Sequence, residues 1–110
     1  MRLEFVYLPV PDLQAALALY RDQLGFDELW REGDTTVGLG IPGTETALMV
    51  DGAAVPGSGP GPVFGVESVD AWLDGRKLDV AVPPMEIPGG RIMSFRDGGG
   101  NQVYVMDQSG

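Results

Sequence analysis

Residues 10–26 have the sequence VPDLQAALALYRDQLGF, which contains the signals for the start, the apolar stripe and the end of a helix. Asp12 can cap a helix, because its carboxylate accepts hydrogen bonds from the free N–H groups of a first helical turn. Apolar side chains follow at helical spacing and make one stripe: Leu13, Ala16, Leu17, Tyr20 and Leu24. Gly25 is expected to end the helix as a left-handed cap. The stretch therefore predicts one amphipathic helix.

Strands are predicted on both sides of this helix. Residues 2–8 are rich in aromatic and β-branched side chains and stop at Pro9 and Pro11. Three further strands are expected after the helix, at 26–30, 35–39 and 44–50, with a turn at 32–34 between the first two. The first half therefore has the order strand, helix and three strands.

A segment rich in Gly and Pro, residues 52–62, predicts a linker or mobile loop. After it the same order of elements is expected again, with strands at 63–66, 78–82, 91–95 and 102–106. The helix of this half is short, capped by Ser68 and interrupted or ended by Gly75, and the strand at 78–82 is expected to stop at Pro83 and Pro84.

The repeated order of elements indicates an internal duplication. Module one covers residues 1–51, the linker 52–62 and module two 63–108, within a single domain of residues 1–110. Each module alone is too small to bury a good core, so two modules are expected to form one domain.

Composition and charge limit the locations and partners that are expected for this chain. Hydrophobic residues make up 44% of the chain, and no apolar run approaches the roughly 20 residues that span a bilayer. No secretory leader is apparent at the start, so a soluble cytoplasmic protein is expected. The net charge of −9 disfavours nucleic acid and anionic membranes as partners and favours cationic ligands, although acidity can also serve solubility alone.

The chain contains no histidine and no cysteine. Imidazole and thiolate are the ligands on which most divalent transition-metal sites rely. Their absence also removes Cys–His and Ser–His–Asp arrangements, so no catalytic residue is predicted. The glycine-rich segments match neither a phosphate-binding loop nor a dinucleotide fingerprint.

Three motifs resemble the vicinal oxygen chelate superfamily, which includes glyoxalases, dioxygenases and bleomycin-resistance proteins. The first is the stretch at 10–26, which is similar to the family's first helix, and the second is FRDGGGN at 95–101. The third is VESVDA at 66–71, similar to the start of the second module's helix. The resemblance implies an α+β fold in which two tandem βαβββ modules form a curled mixed sheet around a cleft. It also implies a homodimer.

Metal-using members of that superfamily carry four ligands on the first and last strands of the two modules. The motifs place Phe5 and Tyr104 at two of these positions, Gly61 or a neighbouring residue at the third, and Leu48 or Met49 at the fourth. None of these side chains is a credible ligand for a divalent metal. The carboxylates near strands, Glu4, Glu32, Glu45 and Asp51, are scattered singly and indicate a solvated face. We therefore expect neither a metal nor another cofactor.

Aromatic and apolar side chains stand where the family's ligands would line its cleft. By period-2 alternation, Phe5 and Tyr7 share one face of the first strand, and Tyr104 and Met106 share one face of the last. The predicted ligand-binding residues are these four together with Trp30 and Met49. The alternative is that the rings fill the space and leave no pocket. Trp72 is assigned to helix packing and Arg91 to a structural salt bridge.

These observations favour a metal-free small-molecule binding protein of the bleomycin-resistance type, with a cationic or aromatic compound as its ligand. The alternative is a divergent lyase, isomerase or dioxygenase of the superfamily that lacks the usual His ligands, so enzyme activity is left open. A third possibility is a degenerate member that acts through protein contacts.

Overall fold

Strands and short helices alternate in the computed structural model, which describes residues 1–108. The elements are β1 (Arg2–Pro9), α1 (Leu13–Leu17), a π-helical segment (Ala18–Gln23), β2 (Asp27–Glu32), β3 (Thr36–Gly40), β4 (Ala47–Asp51), β5 (Gly61–Gly65), α2 (Val69–Leu73), β6 (Asp79–Ile87), β7 (Gly90–Arg96) and β8 (Gln102–Asp107). Mixed α+β structure with two successive βαβββ orders is therefore confirmed.

The chain divides into two compact units. The N-terminal unit is Phe5–Pro60, and the C-terminal unit combines Met1–Glu4 with the described residues from Gly61 onward. The linker predicted at 52–62 is free of helix and strand from residue 52 to residue 60, and β5 begins at Gly61.

The N-terminal unit contains four strands in the order β2-β3-β4-β1. β1 runs parallel to β4, whereas β4 with β3 and β3 with β2 are antiparallel. The register aligns Tyr7, Met49, Gly38 and Trp30 in one row across the four strands.

The C-terminal unit repeats this topology. β5 runs parallel to β8, and β8 with β7 and β7 with β6 are antiparallel. The corresponding row is Val63, Tyr104, Ser94 and Val82. The duplication is therefore confirmed at the level of strand register, and it makes Tyr104 the counterpart of Met49.

The first helix begins as predicted, because the Asp12 carboxylate accepts a hydrogen bond from the Ala15 N–H at 3.2 Å. Gly25 has a φ of +79° and ends it. The expected α-helix is wrong in its second half, which is π-helical, with the Leu24 N–H donating to the Leu19 carbonyl five residues back. One extra residue per turn rotates the following side chains by about 100°, and Leu24 leaves the apolar stripe, 54% exposed.

The sixth strand corrects the predicted stop at Pro83 and Pro84. β6 continues through both prolines to Ile87, with register irregularities between Val80 and Val82 and between Val82 and Met85. Proline lacks a backbone donor and is tolerated at an edge strand or a bulge. Among the described residues of its unit, β6 pairs only with β7. The missing N–H groups of the two prolines therefore do not interrupt pairing with a second strand there.

Each unit has its own apolar core on the helix side of its strands. In the N-terminal unit the core consists of Leu17, Val37, Leu39, Leu48 and Val50. In the C-terminal unit it consists of Val69, Met93 and Val105, with Trp72 stacked on Phe95 at 5.9 Å. Trp72 therefore packs the second helix against Phe95 of β7, as predicted.

Charged side chains stabilise the second helix and the turn between β7 and β8. Arg91 forms the predicted structural ion pair, with Nη1 3.1 Å from the Asp70 carboxylate. The Asp97 carboxylate accepts from the Gly99 and Asn101 N–H groups, both at 2.9 Å, and so closes the turn between β7 and β8. No helix within residues 1–108 is long and apolar enough to cross a membrane.

Candidate functional site

The N-terminal unit has a second sheet surface opposite its core. Since side chains alternate along a strand, placing Val37, Leu39, Leu48 and Val50 on the α1 side puts their neighbours on the other side. We call that other side the aromatic face; it carries Phe5, Tyr7, Leu29, Trp30, Gly38, Gly40, Met49 and Asp51. The structure therefore brings four of the six predicted ligand-binding residues together: Phe5, Tyr7, Trp30 and Met49.

Trp30 lies across the centre of the aromatic face. Its indole covers Gly38, where an added Cβ atom would overlap the ring. The ring also makes an edge-to-face contact with Phe5, with centroids 5.8 Å apart and an interplanar angle of 76°. Trp30, Phe5 and Met49 are each partly exposed, so this apolar surface is accessible in part.

A bulge in β2 supplies a second large side chain to this face. The register with β3 shifts between Glu28 and Trp30, so the intervening Leu29 is an extra residue. Leu29 then lies over Gly40, with its Cδ1 atom 3.2 Å from the position of an added Cβ, and is 59% exposed. Leu29, Gly38 and Gly40 were not among the residues that the sequence pattern predicted for the site. The alternation of glycines in β3 is the signal that could have indicated a close approach from above.

Asp51 lies at the end of β4, on the same face. Its carboxylate accepts from the Tyr7 hydroxyl at 2.5 Å, the Thr36 hydroxyl at 3.3 Å and the Ala53 N–H at 2.9 Å. The sequence analysis assigned Asp51 to a solvated face. The structure instead shows a partly buried carboxylate that three donors orient.

The cations of the N-terminal unit lie away from the aromatic face. This unit has eight carboxylates and two guanidinium groups, Arg21 and Arg31. Both guanidinium groups pair with Glu28, at 3.2 Å and 2.8 Å. The hydrogen bond from Arg31, followed by the attraction of its charge and by Arg21, lowers the pKa of Glu28. By register Arg31 and Glu28 face the α1 side, so the aromatic face carries no positive charge from its own unit.

The remaining two predicted residues, Tyr104 and Met106, belong to the C-terminal unit. They share the side of β8 opposite Val105 and are 4% and 3% exposed. The Tyr104 hydroxyl donates to the Gln102 side-chain oxygen at 2.9 Å, and Ser94 contacts the same oxygen at 3.3 Å. Tyr104 is therefore held by polar contacts in its own unit.

The residues at the family's ligand positions do not fit a divalent metal. Leu48 is part of the core, so Met49 occupies the open position of β4, opposite Tyr7 and on the same face as the apolar Phe5. Gly61 has no room for a side chain, because an added Cβ would overlap the Gln102 carbonyl oxygen. Within residues 1–108, no group of three or more His, Cys, Asp or Glu residues is arranged to hold a metal ion.

Comparison with known structures identifies the fold. A methylmalonyl-CoA epimerase from Mycobacterium tuberculosis superposes with a TM-score of 0.69 and 21% identity, over 99% of this chain and 89% of that chain. A superfamily member from Vibrio splendidus 12B01 gives 0.68 and 15%, over 94% and 95% of the two chains. An NAD-dependent benzaldehyde dehydrogenase from Legionella pneumophila gives 0.75 and 14%, over 94% and 97%. At these identities the likeness shows the fold alone.

The sequence itself gives the family. No curated protein matches the chain. The sequence model of the Glyoxalase/Bleomycin resistance protein/Dioxygenase superfamily, however, matches residues 2–105. That match extends over nearly all of the 110 residues, and the chain therefore belongs to the Glyoxalase/Bleomycin resistance protein/Dioxygenase superfamily.

Proposed function

We propose that this chain is a metal-free small-molecule binding protein of the glyoxalase/bleomycin-resistance type. Its ligand is a flat aromatic or cationic organic compound that lies against the aromatic face. The proposal rests on the central row of that face, which consists of Tyr7, Met49, Gly38 and Trp30. In this row Trp30 covers Gly38, and the Trp30 ring contacts Phe5.

The chemistry of this surface suits such a ligand. Aromatic rings offer large apolar contact area and defined stacking geometries, and thioether sulfur packs well against rings. The face of an indole also attracts cations. Hydrophobic and aromatic linings with a few placed polar groups are typical of small-molecule sites, and here the Asp51 carboxylate and the Tyr7 hydroxyl supply the polar groups.

The residues at the family's ligand positions support binding without a metal. Phe5, Met49, Gly61 and Tyr104 stand at the positions that would have to supply ligands, and the chain has no histidine or cysteine to replace them. The proposal includes a homodimer and a cytoplasmic location, with no nucleic acid or membrane partner. Tyr104 and Met106 remain proposed ligand-binding residues on the ground of their shared strand face.

Native mass spectrometry of the purified protein, followed by denaturing spectra of the same sample, tests this proposal first. We expect a dimer that either carries no metal or carries an organic adduct that is lost on denaturation. One stoichiometric divalent metal for each chain would overturn the proposal and favour the divergent enzyme, as would turnover of a substrate that a chelator abolishes.

A binding experiment tests the surface itself. Cationic aromatic compounds are expected to raise the thermal unfolding temperature of the wild-type protein, and Trp30→Leu and Tyr104→Ala are each expected to weaken that effect. Trp72→Phe is the matched control, because Trp72 packs against Phe95 beneath the second helix. If no compound stabilises the protein and Trp30→Leu changes only its stability, the rings serve packing and the proposal fails.

A further inference from the structure

The aromatic face has a charged edge beside its apolar centre. By register the row that contains Met49, Gly38 and Trp30 is followed, two residues along each strand, by a row of Asp51, Thr36 and Glu32. Two residues of a strand span about 7 Å, and both rows face the same side. A ligand whose ring lies on the central row therefore has carboxylates within reach at one end.

Tyr7 links the two rows directly. It belongs to the central row, opposite Met49, and its hydroxyl donates to Asp51 Oδ2 at 2.5 Å. Thr36 and Ala53 hold the other oxygen, Oδ1, at 3.3 Å and 2.9 Å. The carboxylate is thus fixed in place beside the aromatic residues, and Oδ2 accepts a single one of these three bonds.

The electrostatic setting favours one sign of ligand charge. Arg21 and Arg31 are paired with Glu28 on the α1 side, so neither cation of the N-terminal unit is paired with Asp51. An anion on this face would meet the negative charge of Asp51 with no compensating cation from the same unit. A cation would gain the attraction of a partly buried carboxylate, which is stronger than in bulk water.

We propose that Asp51, oriented by Tyr7, is the counter-ion that selects a positively charged group on an aromatic ligand bound to the central row. This assignment rests on the proposed binding function and names its substrate class, a flat arylalkyl cation. Asp51 sets the preference for charge, and Trp30 with Phe5 and Met49 provides the surface for the ring.

Two probes of the same shape separate charge from ring binding. Benzyltrimethylammonium carries a positive charge, and neopentylbenzene is its neutral carbon analogue. Titration followed by the indole N–H resonance of Trp30 in a nitrogen–proton correlation spectrum gives a Kd for each probe, and that resonance is assigned by its loss in Trp30→Phe. The wild-type protein is expected to bind the cation more tightly than the neutral analogue.

Substitution of Asp51 gives the decisive comparison. Asp51→Asn is expected to weaken binding of benzyltrimethylammonium by about tenfold while the Kd of neopentylbenzene stays the same. Asp34→Asn is the control, because it removes the same charge from an exposed turn of the same unit. Asp51→Ser provides a second uncharged variant should the amide disturb the hydrogen bonds of Tyr7 and Thr36.

The outcomes distinguish this assignment from the proposed function. If both probes bind and neither Asp51 variant changes the preference for the cation, the assignment is wrong and the binding function stands. An equal loss in Asp34→Asn would also overturn it, since the net charge of the unit would then be responsible. If neither probe shifts the Trp30 resonance, the aromatic face is not a binding site and both proposals fall.

Discussion

Gly38 determines where the Trp30 ring can lie. An added methyl group would overlap the indole, so Gly38→Ala is expected to displace Trp30 towards solvent. Forcing one extra carbon into a packed contact destabilises a protein by about 1–3 kcal/mol. In a Trp72→Phe background, where Trp30 is the only tryptophan, the emission maximum is expected to shift to longer wavelength and the urea midpoint to fall.

Gly98→Ala is the control for this substitution, because an added Cβ there meets no other atom within 4 Å. It is expected to leave both measurements near the wild-type values. An unchanged emission maximum in Gly38→Ala would show that the indole does not depend on the glycine, and the description of the aromatic face would then need revision.

Asp97 gives the stability of the protein a defined dependence on pH. Hydrogen bonds from the Asn101 N–H and side-chain amide, and from Gly99, lower the pKa of Asp97 below its usual value of 3.8. The folded protein therefore holds this carboxylate ionised to lower pH than the unfolded chain does. The stabilisation is fully present above the unfolded pKa and is lost as the pH falls through the lower folded pKa.

We expect the urea midpoint of the wild-type protein to fall on acidification below about pH 4, and to fall less in Asp97→Asn, which has no carboxyl group to protonate there. Glu45→Gln serves as the control, since Glu45 is exposed in the segment between β3 and β4. An Asp97→Asn variant with the full acid dependence of the wild-type protein would show that the turn contributes nothing to it.

The first helix shows what a sequence pattern specifies at the scale of an element. Its start was predictable, because the Asp12 cap acts within one turn, and its end was predictable from Gly25. The π-helical segment Ala18–Gln23 was not predictable. A π turn is rare and replaces each local hydrogen bond by one a single residue longer, a change that the apolar spacing of this stretch does not indicate.

The cap of this helix is a direct target for substitution. Asp12→Ala removes the acceptor for the Ala15 N–H and is expected to reduce the free energy of unfolding by about 1 kcal/mol. Asp12→Asn retains an acceptor and is expected to restore most of the loss. Chemical denaturation followed by circular dichroism measures both variants. Equal losses in the alanine and asparagine variants would contradict the capping role.

The strands β2 and β6 show why the candidate site was only partly predictable. Alternation correctly placed Phe5 and Tyr7 on one face. It could not place Leu29 and Trp30 together, because the bulge that does so arises from the pairing of β2 with β3. In the same way, Pro83 and Pro84 indicated a break, yet an edge position lets β6 continue to Ile87.

The whole molecule is built from a duplicated unit, and each unit has one tryptophan. Trp30 belongs to the N-terminal unit and Trp72 to the C-terminal unit, while β1 contributes residues to both. A half-chain of this size buries too little apolar surface to be stable alone, and chains below about 150 residues usually unfold in one transition.

We therefore expect the two units to unfold together. In Trp72→Phe the fluorescence of Trp30 is expected to change at the same urea concentration as the far-ultraviolet circular dichroism of that variant. Trp30→Phe is expected to show the same coincidence for Trp72. Comparing two signals within each variant removes the effect of the substitution itself. A fluorescence midpoint below the dichroism midpoint in either variant would show independent unfolding of that unit.

The family, the mixed α+β class and the duplicated βαβββ order could be predicted from the sequence, because caps, turns and alternation act over a few residues. The sequence also shows that the usual imidazole and thiolate ligands are absent. The position of Trp30 on Gly38 and the hydrogen bond from Tyr7 to the Asp51 carboxylate are seen only in the folded chain. Residues 30 and 38 and residues 7 and 51 meet through strand pairing, and the register between separate strands is not encoded by the pattern within either strand.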